Sequence, residues 1–466
     1  MMRIMLSWII VIIFFSQGVV MSAEIPQKIS QLVENGEFTK AQDQLRKLTK
    51  DDPDNTNTYL FEIERLDRVR IDYNLSENDV LKEIKESIPD VTMYDIEKWT
   101  KEGYLWSKTI DNKLYYFNSS VRNLYRLCDE ADTRKYIYEN TRLTNFREIL
   151  NAGKTSDSPY VLPTKFRVHY SLTVNPDAVP DGEKIRCWLI YPRECAYLKD
   201  IKYISSNPED HYIASPDQLQ KTIYLEKPAV KGKPTVFDAI YEFTTYAYTN
   251  KIDPDKIEPY NKNGDIYKEY TKEREPHIAF TPEHMKLAEE ITGHIKNPYL
   301  KAQAIYNWID GNIKYTTALE YSTIPSISRF CSGNKTGDCG IQSILFITLC
   351  RISGIPARWQ SGWGLGPGKV GMHDWAEFYV EPYGWLPVDV SRGRQYVSDP
   401  EIREFYFGNI DNYRLYGNCD FSQPLDPKKE FFRSETVDFQ RGEVEWKNGN
   451  LYFDKWDYDI DVKVIE

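Results

Sequence analysis

The stretch GDCGIQSILFITLC, from Gly337 to Cys350, decides how this chain is interpreted. Small and acidic residues open it and a long apolar run follows, a pattern typical of the start and body of a buried helix. Cys339 would lie in the first turn, where the positive end of the helix dipole lowers a thiol pKa. A buried structural thiol or half of a disulfide are the alternatives. We predict that Cys339 is a nucleophile with a pKa below the ordinary cysteine value, and that Cys350 is a packed core thiol.

A thiolate nucleophile needs a base, and only one of the six histidines follows Cys339 in the chain. His373 begins HDWAEFYV, which has the alternation of a strand, and a second strand, GWLPVDVS, follows a turn at residues 381–384. Asp389 on that second strand would return beside His373, accept its second ring N–H and fix the tautomer. An even-length loop would put the two side chains on opposite faces. We therefore predict an odd-length loop or a β-bulge, and a register irregularity between them.

Four motifs in order carry a resemblance to a known family: GDCG, GIPAR (Gly354–Arg358), HDWAEFYV and GWLPVDVS. Over residues 281–416 the chain resembles the transglutaminase-like superfamily, which shares papain-like architecture. The resemblance implies a triad with Cys339 as nucleophile, His373 as base and Asp389 as orienting acid. It implies no single reaction, because the family includes transglutaminases, peptidases, peptide N-glycanases and inactive members. The export signal and the preceding β region resemble bacterial exported members.

Further site residues are less sharply defined. An oxyanion hole is required, and the backbone N–H of Cys339 at the helix start is a natural donor. Tyr315 and Gln342 are the candidates for a second donor. Trp363 and Trp375 are candidates for the walls of a substrate groove, although core packing is the alternative for such tryptophans. The absence of any CxxC pair from the sequence gives no reason to expect a zinc site, and we predict neither metal nor cofactor.

Seven cysteines raise the question of disulfides in an exported protein. The odd count leaves at least one thiol free if all bridges are internal. Cys331 precedes Cys339 by the flexible SGNKTGD segment, so the sequence allows a redox switch between them. We predict instead that Cys339 is free, because the helix start directs it towards a substrate groove while Cys331 packs inward.

The whole sequence predicts a multidomain α+β protein. Arg3, an apolar core and small residues up to Ala23 indicate a cleaved export signal, with a transmembrane anchor as the alternative. The predicted segments are an export signal at 1–23, a mostly helical region at 24–155, a β-sandwich-like domain at 160–250, a papain-like transglutaminase core at 275–416 and a C-terminal β extension at 417–466.

Two turn signals predict β-hairpins, Asp111-Asn112 between aromatic-rich strands and Asn448-Gly449 between apolar runs. After the second hairpin, three aspartates alternate with apolar residues: Asp457, Asp459 and Asp461. Strict alternation favours the solvent face of a strand over a calcium site.

The formal net charge of −11, without basic blocks, argues against nucleic acid and anionic membranes as partners. The export signal and the family resemblance together predict a periplasmic or extracellular thiol enzyme with no membrane span after signal cleavage. It would act on peptide or carboxamide bonds of a protein or peptide substrate through an acyl-enzyme. We favour water as the acceptor, which gives a peptidase or amidase. The alternatives are an amine acceptor, which gives a protein-glutamine crosslinking acyltransferase, and a non-catalytic binding protein on the same scaffold.

Overall fold

The computed structural model describes residues 25–134, 144–366, 370–392 and 404–465, so the predicted export signal at 1–23 lies outside the described residues. Within the described residues, no helix is both long and apolar enough to cross a membrane. The described helices are α1 (Gln27–Glu34), α2 (Phe38–Asp51), α3 (Thr56–Asp72), α4 (Glu77–Lys85), α5 (Met93–Lys101), α6 (Ser120–Leu127), α7 (Asp129–Arg134), α8 (Thr144–Thr155), α9 (Asp265–Tyr270), α10 (Pro282–Thr292), α11 (Pro298–Asn312), α12 (Ile327–Asn334) and α13 (Cys339–Ile352).

The described strands form several sheets, so the molecule contains both helices and sheets. They are β1 (Tyr73–Leu75), β2 (Ser107–Ile110), β3 (Lys113–Phe117), β4 (Tyr160–Val174), β5 (Lys184–Ile190), β6 (Leu198–Asn207), β7 (Tyr212–Ile213), β8 (Thr222–Pro228), β9 (Thr235–Tyr248), β10 (Lys314–Tyr315), β11 (Thr336–Gly337), β12 (Ala357–Gly364), β13 (Gly371–Val380), β14 (Gly384–Val388), β15 (Arg414–Asn418), β16 (Glu443–Trp446), β17 (Gly449–Leu451) and β18 (Trp456–Ile465). Short 3-10 helices lie at Pro53–Asn55, Pro254–Lys256, Tyr321–Thr323 and Phe453–Lys455.

The helical region encloses a small sheet of order β1-β3-β2. The predicted hairpin between β2 and β3 forms, and its turn residues Asp111 and Asn112 have positive φ values of 47° and 67°. These values suit the two-residue turns that match strand twist, and asparagine and aspartate tolerate them better than most residues. Two apolar clusters, one around Leu66 and one around Trp99, form the core of this region.

Two antiparallel sheets follow, with orders β18-β4-β9-β6 and β17-β16-β5-β8-β7. Apolar side chains from both sheets, including Leu172, Trp188 and Phe243, share one buried cluster. The last strands of the chain complete these sheets, since β18 pairs with β4 and β16 pairs with β5. The strands expected in a C-terminal extension therefore belong to sheets built from residues 160–250. Local sequence patterns carry no signal for pairing over such a distance.

The hairpin predicted near the end of the chain forms between β16 and β17. Trp446 pairs with Gly449, so the turn residues are Lys447 and Asn448 rather than Asn448 and Gly449. The three alternating aspartates of β18 are exposed, in agreement with the predicted solvent face. No group of His, Cys, Asp and Glu residues in the described part of the chain could hold a metal ion.

The sheet that carries the predicted site has the order β14-β13-β12-β15, and α13 packs against β12 and β13. Every residue of α13 from Cys339 to Arg351 is buried. A helix that is apolar all round is one that protein surrounds on every side, which accounts for the unbroken run in the sequence. Ile344 and Phe346 of this helix share a core cluster with Phe378 of β13.

The length of the loop between β13 and β14 determines which side chains of the two strands lie on the same face of the sheet. Pairing runs from Ala376–Val388 to Val380–Gly384 without a register shift, and the loop has three residues, 381–383. Because strand side chains alternate, an odd loop puts His373 and Asp389 on one face. The predicted odd-length loop is confirmed. The predicted register irregularity is wrong over these paired residues, because loop length alone aligns the two side chains.

Candidate functional site

Cys339 is the first residue of α13, as predicted from the sequence. Asp338 caps the helix, since its Oδ1 accepts the backbone N–H of Ile341 at 3.0 Å. The cysteine is only 6% exposed. Its Sγ makes a hydrogen bond to Oδ2 of Asp374 at 3.6 Å. The sulfur's partner in this structure is thus the residue after His373 and not His373 itself.

The surroundings of Cys339 oppose the low thiol pKa expected from the sequence. Burial raises the pKa of Cys339 well above its ordinary value, and the negative charge of Asp338 raises it further. A helix dipole contributes about 1 kcal/mol, whereas desolvating an ion costs on the order of several kcal/mol. The prediction of a resting thiolate is therefore wrong for this structure, in which burial outweighs the dipole.

His373 and Asp389 meet as predicted. Nε2 of His373 lies 2.6 Å from Oδ2 of Asp389, and the two residues are 6% and 0% exposed. Because Nε2–H donates to the carboxylate, Nδ1 is the basic nitrogen of the ring. Burial lowers the pKa of His373 to about 4, although Asp389 acts in the opposite direction. The imidazole is neutral at pH 7 and is able to accept a proton.

Asp389 accepts a full set of hydrogen bonds. Its Oδ1 accepts the backbone N–H and the hydroxyl of Ser391 at 3.2 and 2.9 Å, and its Oδ2 also accepts from Arg414 at 2.8 Å. Burial alone would raise the pKa of Asp389, but the hydrogen bond from His373 and the charge of Arg414 hold that pKa below its usual range. Arg414 is itself fully buried and bonded to Asp411 at 2.8 Å. Sequence reasoning missed Arg414, which belongs to no motif and is brought to the site by β15.

The two candidate oxyanion side chains have other contacts. The Gln342 amide donates to the carbonyl of Gly337 at 2.9 Å and is 3% exposed. This bond stabilises the turn before Cys339 and uses one of the two amide N–H groups, so the assignment of Gln342 as an oxyanion donor stays a prediction. Tyr315 pairs with Gly337 in the short parallel ladder of β10 and β11, and its ring lies 5.0 Å from the guanidinium of Arg126. Its assignment as a donor stays a prediction.

The two candidate groove tryptophans are core residues. Trp363 and Trp375 are both 0% exposed. Trp363 donates its indole N–H to the carbonyl of Gln440 at 2.9 Å and meets Tyr170 edge-on, while Trp375 meets Tyr416 edge-on at 5.0 Å. The prediction that they line a groove is wrong, because both faces of β12 and β13 are covered at these positions.

Three side chains that sequence reasoning did not select join the site. Tyr321 lies with its hydroxyl 3.2 Å from Oδ2 of Asp374, and Gln440 donates its amide to Oδ1 of Asp374 at 2.8 Å and to the carbonyl of His373 at 2.9 Å. The one signal in the sequence was the position of Asp374 next to His373. Tyr321 and Gln440 come from distant segments and had no signal.

The cysteines are free thiols, all seven of them being among the described residues. Cys339 is therefore free, as predicted. Cys331 is fully buried in the core around α13, which agrees with the expected inward packing.

The helical region contacts the segment that carries Tyr321. Asn123 exchanges two hydrogen bonds with the backbone of Thr317, at 2.8 and 2.9 Å. Asp72 accepts the backbone N–H of Glu320 at 3.2 Å. These contacts, made by residues of the helical region, fix the position of the Tyr321 segment.

A cavity of about 640 Å³ lies between the helical region and the core. Aromatic side chains such as Trp106 and Phe330 line it, together with Lys314 and Lys335. It reaches Thr336, three residues before Cys339.

Comparison with known proteins gives matches to part of the chain. The chain is 28% identical over 132 residues to the uncharacterized protein YebA of Bacillus subtilis, which is 24% of this chain and 18% of that protein. It is 29% identical over 137 residues to an uncharacterized protein of Haemophilus influenzae, which is 24% of this chain and 37% of that protein. The chain thus spans well under two thirds of both curated relatives.

A solved structure described as a "Putative Cysteine Protease" from Cytophaga hutchinsonii is 16% identical, with a TM-score of 0.44 over 66% of this chain and 92% of that one. The family model of the transglutaminase-like superfamily matches residues 285–390, a segment that contains Cys339, His373 and Asp389. The resemblance carried by the four motifs is confirmed over this segment by the match to the family model.

Proposed function

We propose that this chain is a cysteine-dependent hydrolase of peptide or carboxamide bonds, with Cys339 as nucleophile, His373 as base and Asp389 as orienting acid. The observation that carries the proposal is the buried 2.6 Å hydrogen bond between His373 and Asp389. It occurs in the same family-matched segment as a cysteine at the start of a buried helix. A histidine oriented by a carboxylate is the arrangement that nucleophilic catalysis requires.

The chemistry follows from the protonation states. Nδ1 of His373 takes the thiol proton while the Cys339 sulfur bonds to the substrate carbonyl carbon. The imidazolium is stabilised by Asp389, whose negative charge Arg414 maintains. The proton then passes to the leaving nitrogen as the C–N bond breaks, which leaves a thioester. Water attacks the thioester, gives a proton to His373, and the thiol re-forms as the acid product departs.

The raised pKa of Cys339 affects the timing of the first step. A thiol that is neutral at rest loses its proton during the attack, rather than standing as a preformed ion pair with the histidine. Hydrogen bonds between catalytic groups are often long before substrate binds and tighten in the complex. Rotation of the Cys339 thiol proton from Asp374 towards Nδ1 of His373 on binding is part of the proposal.

Hydrolysis is preferred to transfer to an amine because of the expected location. The N-terminal pattern of Arg3, apolar core and small residues supports export to the periplasm or beyond, where water is the abundant acceptor. The cavity that reaches Thr336, lined by aromatic side chains together with Glu102, Lys314 and Lys335, is suited to an extended peptide that has aromatic side chains.

The test uses peptide libraries with and without a primary-amine probe. Wild type, Cys339→Ala and the matched control Cys350→Ala are incubated and the products identified by mass spectrometry. Cys350 lies on the same helix and is fully buried, so its variant controls for packing changes in α13. We expect cleaved or deamidated products with wild type and Cys350→Ala, and none with Cys339→Ala. Amine-linked products in place of hydrolysis would reassign the enzyme as an acyltransferase, and activity in Cys339→Ala would refute the proposal.

A further inference from the structure

Asp374 is in direct contact with the sulfur that the proposed reaction uses. Its Oδ2 lies 3.6 Å from Sγ of Cys339 and 3.2 Å from the hydroxyl of Tyr321. Its Oδ1 accepts the Gln440 amide at 2.8 Å, and the residue is 2% exposed. The donor to its second oxygen is thus a neutral amide and not a cation.

The hydroxyl proton of Tyr321 decides how Asp374 is protonated. Tyr321 has one proton and lies between Oδ1 of Asp338, at 2.7 Å, and Oδ2 of Asp374, at 3.2 Å. The shorter contact is to Asp338, which caps α13 and also accepts the N–H of Ile341. A carboxyl that accepts two hydrogen bonds is favoured in its ionised form. The tyrosine oxygen therefore presents a lone pair to Asp374. A proton on Oδ2 of Asp374 turns this contact into a hydrogen bond.

The ionisable groups around Asp374 also favour its protonated form. His373 precedes Asp374 in the chain but is neutral and bonded to Asp389. Burial raises the pKa of Asp374 well above its ordinary value, and the carboxyls of Asp438 and Asp338 raise it further. Burial raises the pKa of Asp438 in the same way. A second buried anion beside Asp338 would be opposed by both desolvation and repulsion.

We propose that Asp374 is a fourth catalytic residue, which holds a proton on Oδ2 and donates it as a hydrogen bond to the Cys339 sulfur when the sulfur becomes negative. This inference rests on the proposed role of Cys339 as nucleophile. In the resting protein the O–H of Asp374 donates to the oxygen of Tyr321. As His373 removes the thiol proton, the O–H turns to the sulfur, and no covalent bond of Asp374 forms or breaks. Charge-assisted hydrogen bonds are the stronger class, so the interaction favours the thiolate over the thiol.

Two substitutions separate this role from a structural one. Asp374→Asn keeps an N–H donor of the same shape but cannot ionise, and Asp374→Ala removes the donor. The rate of iodoacetamide addition to the Cys339 peptide is measured by mass spectrometry from pH 6 to 10 in both variants and in wild type. We expect Asp374→Asn to keep the apparent pKa of Cys339 within about half a unit, while Asp374→Ala raises it by about one unit and slows alkylation at pH 7 about tenfold.

The opposite results overturn the inference. If Asp374 is ionised in the wild type, Asp374→Asn removes an anion next to the sulfur, and the apparent pKa of Cys339 falls by about one unit or more. If Asp374→Ala matches wild type, no donor acts on the sulfur.

A direct measurement keeps the inference testable should Asp374→Ala not fold. The infrared difference spectrum of wild type minus Asp374→Asn at pH 7 should contain the C=O band of a protonated carboxyl, and an ionised carboxylate pattern in its place would refute the assignment. The outcomes also separate the two proposals. Activity in Cys339→Ala would refute the proposed function and with it the catalytic role of Asp374, whether or not the protonated band is present. Loss of activity in Cys339→Ala with no such band would refute the role of Asp374 alone.

Discussion

Replacing Asp389 by asparagine tests the buried pair with His373 most sharply. Every hydrogen bond of the Asp389 carboxylate is an accepted one, Oδ1 from Ser391 and Oδ2 from His373 and Arg414. An asparagine of the same shape must turn its NH₂ group towards one of these two sets of donors. If that group faces His373, the ring has to present a bare Nε2 and keep its proton on Nδ1. Nδ1 is then unable to take the proton of the thiol.

The size of the effect can be worked out from these contacts. A buried hydrogen bond to a charged group contributes about 1.5–3 kcal/mol, and the substitution weakens at least one of them. Arg414 keeps one carboxylate partner, Asp411, so it is not left as an isolated buried charge. We expect a loss of about 2 kcal/mol in the free energy of unfolding. In related triads the wrong histidine tautomer lowers kcat by about 10⁴-fold, so we expect turnover to fall at least several hundredfold.

The assay combines turnover of a library-derived peptide with urea unfolding of the same protein. Asp411→Asn is the matched control, because Asp411 shares the Arg414 guanidinium but makes no contact with His373. This control should lose stability by a similar amount and lose much less activity. Unchanged turnover in Asp389→Asn would remove Asp389 from the reaction and require another partner for His373. Equal losses of activity in both variants would show that the effect is one of stability.

Three further predictions concern groups around the site. Burial raises the pKa of Asp72 to about 7, so the stability that its neutral form contributes is lost as the pH rises from about 4 to 7. Asp72→Asn should therefore be more stable than wild type at pH 8, by about 1.4 kcal/mol per unit of pKa shift, but not at pH 3.5. Equal urea midpoints of the two proteins at pH 8 would contradict this. A Cβ at Gly340 would overlap the hydroxyl of Tyr321, so Gly340→Ala should slow alkylation of the nucleophile and lower Tm, and an unchanged Tm would show that the site can relax. Arg441→Met leaves the buried carboxylate of Glu435 without its ion pair, which should cost about 3 kcal/mol in urea unfolding, and a loss of under about 1 kcal/mol would refute the importance of this pair.

The sequence predicted those parts of the site that depend on local patterns. The helix start at Cys339 follows from a cap residue before an apolar run, and the pairing of His373 with Asp389 follows from strand alternation across an odd loop. Both are set by residues within a few turns or one hairpin of each other, so a single sequence is enough to predict them.

The remainder depends on tertiary contacts that no local pattern encodes. Arg414 and Gln440 reach the site because β15 joins β12 and because the chain returns after the core. The burial of Trp363 and Trp375 depends on what covers each face of their strands, which alternation alone does not specify. The thiol pKa of Cys339 was predicted with the wrong sign for the same reason, because the cost of desolvation is a property of the folded surroundings.

The pairing of β18 with β4 has a consequence for the order of events during synthesis. Nearly three hundred residues separate the two strands, and Gln440, which holds both His373 and Asp374, is also translated after the whole transglutaminase-like core. Contacts so distant in sequence form slowly and late. A ribosome making this protein therefore completes the Cys339 segment long before the segment that carries Gln440. A nascent chain halted before residue 440 would contain Cys339, His373 and Asp389 but would lack the hydrogen bonds that Gln440 makes to His373 and Asp374.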